Sequence, residues 1–266
     1  MPRLAIVTDI HHGPSMGKKR GEAAAEAMSA FAEFCTEQRP DLVLELGDRI
    51  LDKDAETDMR LEREVAAMFS TITQPVLHLM GNHDRDFLSA GDNAEALSQS
   101  MAHETKALGE WTIAAWRSET PYHPIEGMDA SESDLEWLEA LLTSASGPLL
   151  IASHAPVAMA GLKGNPYFEH RPPASTYPRQ AERIREAIRE YDGPLVWISG
   201  HVHQNTISMT DGRLHLTQQS LTETTTTHGE IACAMGLLEL GDNVRWRVYG
   251  RDPVEFSIPQ SRLTGY

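Results

Sequence analysis

Cysteine, cationic charge and long apolar runs are all scarce in this sequence, and each shortage removes a class of protein. Only Cys35 and Cys233 occur among 266 residues. They lie far apart and fit neither a zinc-ligand spacing nor a disulfide framework, which makes a reducing cytoplasm the expected compartment. No apolar stretch approaches the roughly 20 residues of a membrane span. The short run after Met1 breaks at Asp9, unlike a secretory leader. Lysine and arginine number 23 against 39 aspartates and glutamates, a formal net charge of -16. Nucleic-acid affinity rests on cations that neutralise many phosphates, so nucleic acid is not an expected partner. Repeats, low-complexity tracts and linkers are missing as well. With 41% hydrophobic residues the chain can bury a substantial core, and a single domain over residues 1–266 is the economical reading.

What is present is an alternation of short apolar runs with amphipathic stretches. Strands are expected at residues 4–8, 42–46, 75–80, 148–153 and 195–199, and helices at about 22–38, 54–71, 132–142 and 177–191. The first helix places Ala24, Ala27, Met28, Phe31, Phe34 and Cys35 on one face. The third opens with Ser131-Glu132-Ser133-Asp134, a capping sequence. The last third turns β-rich. Runs 206–210 and 213–218 flank Asp211-Gly212, a strong hairpin signal, and runs 234–240 and 244–249 flank Gly241-Asp242-Asn243.

Five short clusters fall where the apolar runs end: Asp9-Ile10-His11, Gly47-Asp48, Gly81-Asn82-His83-Asp84, Ser153-His154-Ala155-Pro156 and Gly200-His201-Val202-His203. Singly, each has an ordinary explanation as a turn or a hydrogen-bonded core histidine. Jointly they offer seven oxygen and nitrogen donors and no thiolate. Residues two apart in an extended segment face one side, so Asp9 and His11 can converge on one ion. Asp48 follows a glycine that lets the backbone turn tightly, and its two oxygens can bridge. Asn82 offers a carbonyl oxygen; His154, His201 and His203 offer imidazole nitrogen. Such a mixed set suits manganese, iron, zinc or cobalt. Two divalent ions would add about four positive charges, and would make one patch of an acidic protein attractive to phosphate.

In this order, from Asp9 to His203, the clusters resemble those of the calcineurin-like metallophosphoesterase superfamily. The resemblance implies an α/β fold, a four-layer α/β sandwich of two mixed β-sheets flanked by helices. It implies a first ion on Asp9, His11, Asp48 and His203, and a second on Asp48, Asn82, His154 and His201, with manganese or an iron–manganese pair favoured. His83 becomes the non-ligand histidine facing the substrate. The strings Gly-Asn-His-Asp-Arg-Asp from Gly81 and Gly-His-Val-His-Gln from Gly200 look most like bacterial class III cyclic nucleotide phosphodiesterases. Protein serine/threonine phosphatases carry an aspartate three residues after the bridging one and then an arginine. Here Leu51 stands at that place, Arg49 directly follows Asp48, and Asp52 comes one position late. This argues against that branch and leaves open whether Asp52, Asp84 or neither orients His83; His83 and Asp84 are the catalytic candidates.

The expected reaction is hydrolysis of a small phosphodiester or cyclic nucleotide. A hydroxide held between ions about 3.5–4 Å apart would attack in line, and His83 would protonate the leaving alkoxide. A phosphomonoesterase or nucleotide diphosphatase is the alternative on the same centre. A non-catalytic scaffold is disfavoured by the intact ligand set, and a nuclease by the acidic charge. Candidate substrate contacts are Lys18 and Lys19 in the loop before the first helix, Arg49 beside Asp48, and Tyr167 and His170 in the loop 156–178. That loop carries five prolines and two glycines. A loop so long in a compact domain reads as a wall or lid over the site, or as an interface in a homo-oligomer. Residues 101–122 and 219–233 are weaker candidates for the same roles.

Overall fold

The structure is a computed structural model that describes residues 1–118, 122–123 and 127–265. Its elements in chain order are β1 (Arg3–Val7), α1 (Ala24–Gln38), β2 (Leu42–Glu45), α2 (Ala55–Phe69), β3 (Val76–His78), α3 (Ala90–Leu97), β4 (Glu104–Leu108), β5 (Trp111–Ala115) and α4 (Glu132–Ser144). There follow β6 (Leu149–Ala152), α5 (Ala181–Arg189), β7 (Leu195–Ser199), β8 (Thr206–Thr210), β9 (Arg213–Thr217), β10 (Met235–Leu240), β11 (Asn243–Tyr249) and β12 (Val254–Pro259).

Two six-stranded mixed sheets result, ordered β12-β11-β10-β1-β2-β3 and β4-β5-β6-β7-β9-β8. In the first, β1, β2 and β3 are parallel and β10 lies antiparallel to β1. In the second, β5, β6, β7 and β9 are parallel, and β4 and β8 are antiparallel edges. Successive strand residues face opposite sides, and β1 shows what that achieves. Leu4 and Ile6 enter the core between the sheets with Leu42, Leu44, Trp111 and Trp246. Ala5 and Val7 turn outward to Met28 and Phe31 of α1 and Val65 of α2. On the far side Leu135 and Leu138 of α4 and Ile184 and Ile188 of α5 cover Leu149, Ile151 and Trp197. Helix, sheet, sheet and helix make the four layers the resemblance implied.

Local chemistry sets the element ends. Asp54 caps α2 by accepting from the Thr57 amide at 2.8 Å. Ser131 and Asp134 form the reciprocal box at the start of α4, with bonds of 3.1 and 2.9 Å. At the β8–β9 turn Asp211 and Gly212 both have positive φ, 54° and 72°, the conformation a tight two-residue hairpin requires.

Four elements escaped the periodicity reading: α3, β4, β5 and β12. The hairpin β4–β5 lies inside the stretch 101–122, of which residues 119–121 are outside the described part. The β-rich last third is not a separate layer, because β8 and β9 extend the second sheet while β10 to β12 return beside β1 in the first. The consequence for function is positional. The five clusters follow the C-terminal ends of β1, β2, β3, β6 and β7, the edge at which open α/β sheets gather their sites.

Candidate metal centre

The cluster loops are stitched to one another by backbone bonds. Asp9 N donates to Gly47 O at 2.9 Å, His11 N to Asp48 O at 3.0 Å, and Gly200 N to His154 O at 2.9 Å. Close approach excludes side chains at two positions. A Cβ on Gly81 would run into the Asp48 carboxylate, and one on Gly200 into the Thr8 hydroxyl and Asp9 carboxylate. Asp9, His11, Asp48, His201 and His203 all take positive φ, between 48° and 68°, a conformation that non-glycine residues keep only when their surroundings impose it.

These loops bring the sequence candidates together in two groups that share Asp48. One ligand atom from each of Asp9, His11, Asp48 and His203 lies within 4.8 Å of the others, and the same holds for Asp48, His154 and His201. Each histidine has its outer nitrogen engaged. His154 Nδ1 faces Leu46 O at 2.8 Å, His203 Nδ1 faces Glu223 Oε2 at 3.2 Å, and His201 Nε2 faces Ser175 O at 3.0 Å. Their other nitrogens turn inward. His11 Nε2 and His203 Nε2 come to 2.9 Å of each other, and His203 Nε2 to 3.1 Å of Asp9 Oδ1. Among the described residues the buried Asn82 Oδ1 has no hydrogen-bond partner, and His154 Nε2 has only the Asp48 carboxylate, 3.4 Å away. Converging, unpaired acceptors in a dry site are costly by themselves, and they are what a pair of cations requires.

The titration behaviour follows from the same crowding. Burial alone would raise the Asp48 carboxyl, yet His154 and His83 beside it hold it well below the carboxylate range. His154, opposed by burial but facing Asp48, is raised to about 9. Burial and then His154 push His201 down to about 3. Burial opposes but His203 and the Thr225 hydroxyl hold Glu223 down at about 2.

Beside the two groups lies a cavity of about 240 Å³, lined among others by Asn82, His83, Lys19, Tyr167, Phe168 and Arg171. His83 Nδ1 is bonded to the Asp52 carboxylate, and its Nε2 lies 2.8 Å from Lys19 Nζ. Asp52 is therefore the group that orients His83. Lys19 is buried at 7% exposure whereas Lys18 beside it is exposed and outside the cavity lining, so the cationic cluster divides.

Three expectations need correction. Asp84 is fully buried and accepts the amides of Gly81 and Asp48 on Oδ2, at 2.8 and 2.9 Å, and that of Arg49 on Oδ1 at 2.8 Å. It holds the loops and does not touch the cavity. Arg49 is equally buried, bonded to Glu62 and Glu45 at 2.8 Å each, and cannot meet a substrate. His170 has a 91% exposed side chain and does not line the cavity. Sequence reasoning missed Glu223, which sits in a threonine-rich run with no spacing signal. It placed Asn165 in the loop 156–178 without a role of its own; Asn165 donates to Val202 O at 2.8 Å and accepts the amides of Tyr167 and Phe168 at 3.0 and 3.1 Å.

The chain belongs to the calcineurin-like phosphoesterase family, which it matches over residues 2–205. It is thus a member of a superfamily of metal-dependent phosphoesterases that use two divalent metals. Its fold is similar to that of a dimetal phosphatase from Danio rerio, at 16% identity and a TM-score of 0.79, covering 97% of this chain and 99% of that one. It is also similar to a purple acid phosphatase from yellow lupin seeds, at 12% identity and a TM-score of 0.62, covering 97% of this chain and 53% of that one. GAP50, the anchor in the inner membrane complex of Plasmodium, shares the fold at 12% identity and a TM-score of 0.62, covering 100% of this chain and 89% of that one. Among curated proteins no sequence matches significantly. No helix of the described residues is long and apolar enough to cross a membrane.

Proposed function

We propose that this chain is a dinuclear metal-dependent phosphodiesterase for a small phosphodiester or cyclic nucleotide, in line with its likeness to class III cyclic nucleotide phosphodiesterases. Asp9, His11, Asp48 and His203 would hold one ion, and Asp48, Asn82, His154 and His201 the other, manganese or an iron–manganese pair being favoured. The observation that carries this reading is the convergence of the two ligand groups on Asp48, with the buried Asn82 Oδ1 beside them lacking a hydrogen-bond partner among the described residues. When bound, such ions lower the pKa of a shared water and neutralise phosphoryl oxygens. The chain's own residues supply the rest. Asp52 fixes the His83 ring, His83 Nε2 faces the cavity as the proton carrier for the leaving oxygen, and Lys19 adds a cation beside it. We further place the protein in the cytoplasm as one domain, with no nucleic-acid partner.

Two neighbouring cavities support the diester reading. The cavity adjoins a second one of about 230 Å³, lined by Lys163, Gln204 and Thr225, and Tyr167 and His203 line both. Two cavities bordered by the same ligand histidine would give the two arms of a diester separate seats. The monoesterase alternative draws on Lys19, which would meet the extra negative charge of a monoester dianion. Turnover of bis-p-nitrophenyl phosphate against p-nitrophenyl phosphate by manganese-loaded protein separates the two. Activity surviving Asp48→Ala or Asn82→Ala would overturn the metal assignment.

A further inference from the structure

The loop over the cavity is fastened at both ends to the metal-site segment. Asn165, only 5% exposed, bonds to Val202 O between His201 and His203, and Ser175 O accepts from His201 Nε2 at 3.0 Å. Between these anchors Tyr167 packs on His203 with ring centroids 5.4 Å apart, and Phe168 on His201 at 4.9 Å. Arg171 stands in the same span and lines the cavity. Several arginines elsewhere on this acidic surface pair with carboxylates, Arg183 with Glu132 and Glu139 and Arg251 with Glu230 among them, but those arginines line no part of this cavity. Among the described residues Arg171 has no carboxylate partner, and its side chain meets only Tyr122 Oη at 3.4 Å. The second cavity cation, Lys19, is turned to His83. The carboxylate of Asp86 groups with Asp52 and His83 on that side.

We propose that Arg171, with Tyr122 beside it and Phe168 in the same cavity wall, forms a subsite for a second anionic group, a phosphate or carboxylate, on one arm of the substrate. The inference rests on the phosphodiesterase reading and adds the chemistry of the arm. A guanidinium presents a planar fork that binds either oxyanion through two parallel bonds. Because the loop is pinned to the metal-site segment, the backbone that carries the fork is held in place before substrate arrives, and less ordering entropy opposes binding.

Two matched pairs of diesters test it on manganese-loaded protein. One pair is p-nitrophenyl phenyl phosphate and its 4-carboxyphenyl counterpart; the other is 2',3'-cyclic AMP and the same compound bearing a 5'-phosphate. The expected result is a higher kcat/KM for the charged member of at least one pair. That ratio should fall about tenfold or more in Arg171→Ala, the usual effect of losing one charged hydrogen bond, and recover in part in Arg171→Lys. Thermal melting and metal content serve as folding controls, with Arg171→Gln as the substitute if alanine is not tolerated. Ratios that do not change on substitution, while both members of a pair are still hydrolysed, overturn the subsite and leave the phosphodiesterase reading standing. No turnover of any probe by the parent protein overturns both.

Discussion

Replacing Asp84 by asparagine separates a latch from a catalytic group. The carboxylate accepts three backbone amides, from Gly81, Asp48 and Arg49, and lies 3.4 Å from the Arg49 guanidinium. An amide keeps one acceptor oxygen and puts an NH2 where the other stood, so at least one buried N–H faces a donor and Arg49 loses a counter-charge. Removing one partner of a buried ion pair costs about 3–5 kcal/mol. Arg49 keeps Glu45 and Glu62 as counter-charges, so the lower end of that range applies. An unfolding entropy of about 2.1 cal/mol/K per residue over 266 residues gives about 0.56 kcal/mol/K. The expected fall in Tm for Asp84→Asn is therefore about 5 °C, read by calorimetry on metal-loaded protein. An Asp84 that served in catalysis would instead lose kcat at constant Tm. A variant melting within about 1 °C of the parent would refute the latch.

Other perturbations probe neighbouring links. Asp52→Asn weakens the bond that fixes His83, and kcat should drop about 10- to 100-fold with KM little altered; an unchanged kcat would detach Asp52 from the reaction. Asn165→Ala frees Tyr167 and Phe168, so KM should rise for every diester tested, and an unaltered KM argues against the pinned wall. Chelation should abolish activity and, for metal at a hundredfold over its Kd, lower Tm by about 5 °C; identical melts with and without manganese would contradict binding at this site. Asp58 supplies a pH test. Its buried Oδ2 lacks a partner, and burial raises its carboxyl to about 6. The folded state thus holds this proton more tightly than the unfolded chain, and the stability it contributes is lost as pH rises from about 4 through 6. Asp58→Asn cannot ionise, so relative to the parent it should gain about 1–2 kcal/mol between pH 4 and pH 8 after allowance for screening. A pH-independent difference would exclude the effect.

The strands that carry the clusters were legible because they are buried on both faces and read as continuous apolar runs, as β1, β2, β6 and β7 do. The edge strands β4 and β12 were not. Along β4, Glu104 and Lys106 are only half-buried and Thr105 and Ala107 are exposed, and β12 alternates half-buried with exposed residues up to Pro259. Such patterns are indistinguishable from polar loop until a partner strand is placed beside them. At the site, residue type and order pointed to the inward donors, since D-x-H and H-x-H are local in sequence. What surrounds them is not local. Glu223 reaches His203 across 20 residues and Asp52 reaches His83 across 31. Arg49, cationic and next to Asp48, looked like a substrate contact; only its burial against Glu45 and Glu62 reveals a structural role.

The left-handed backbone at the ligands explains why those distant contacts matter. Of the ten non-glycine residues with positive φ among those described, five are Asp9, His11, Asp48, His201 and His203. Each costs roughly 1–2 kcal/mol relative to a right-handed conformation, so the five together cost about 5 kcal/mol or more, comparable to the net stability of an ordinary domain. Sequence preference runs against the site at the positions that make it. The conformation persists because the loops are bonded on every side. Thr8 Oγ1 and His201 N hold Asp9 Oδ2 at 2.6 and 3.0 Å, Ser220 Oγ holds Asp9 O at 2.6 Å, and Asp84 holds the amide of Asp48. These bonds tie residues of both sheets together. The donors are therefore aimed by the fold itself, and a bound cation would find them already converged.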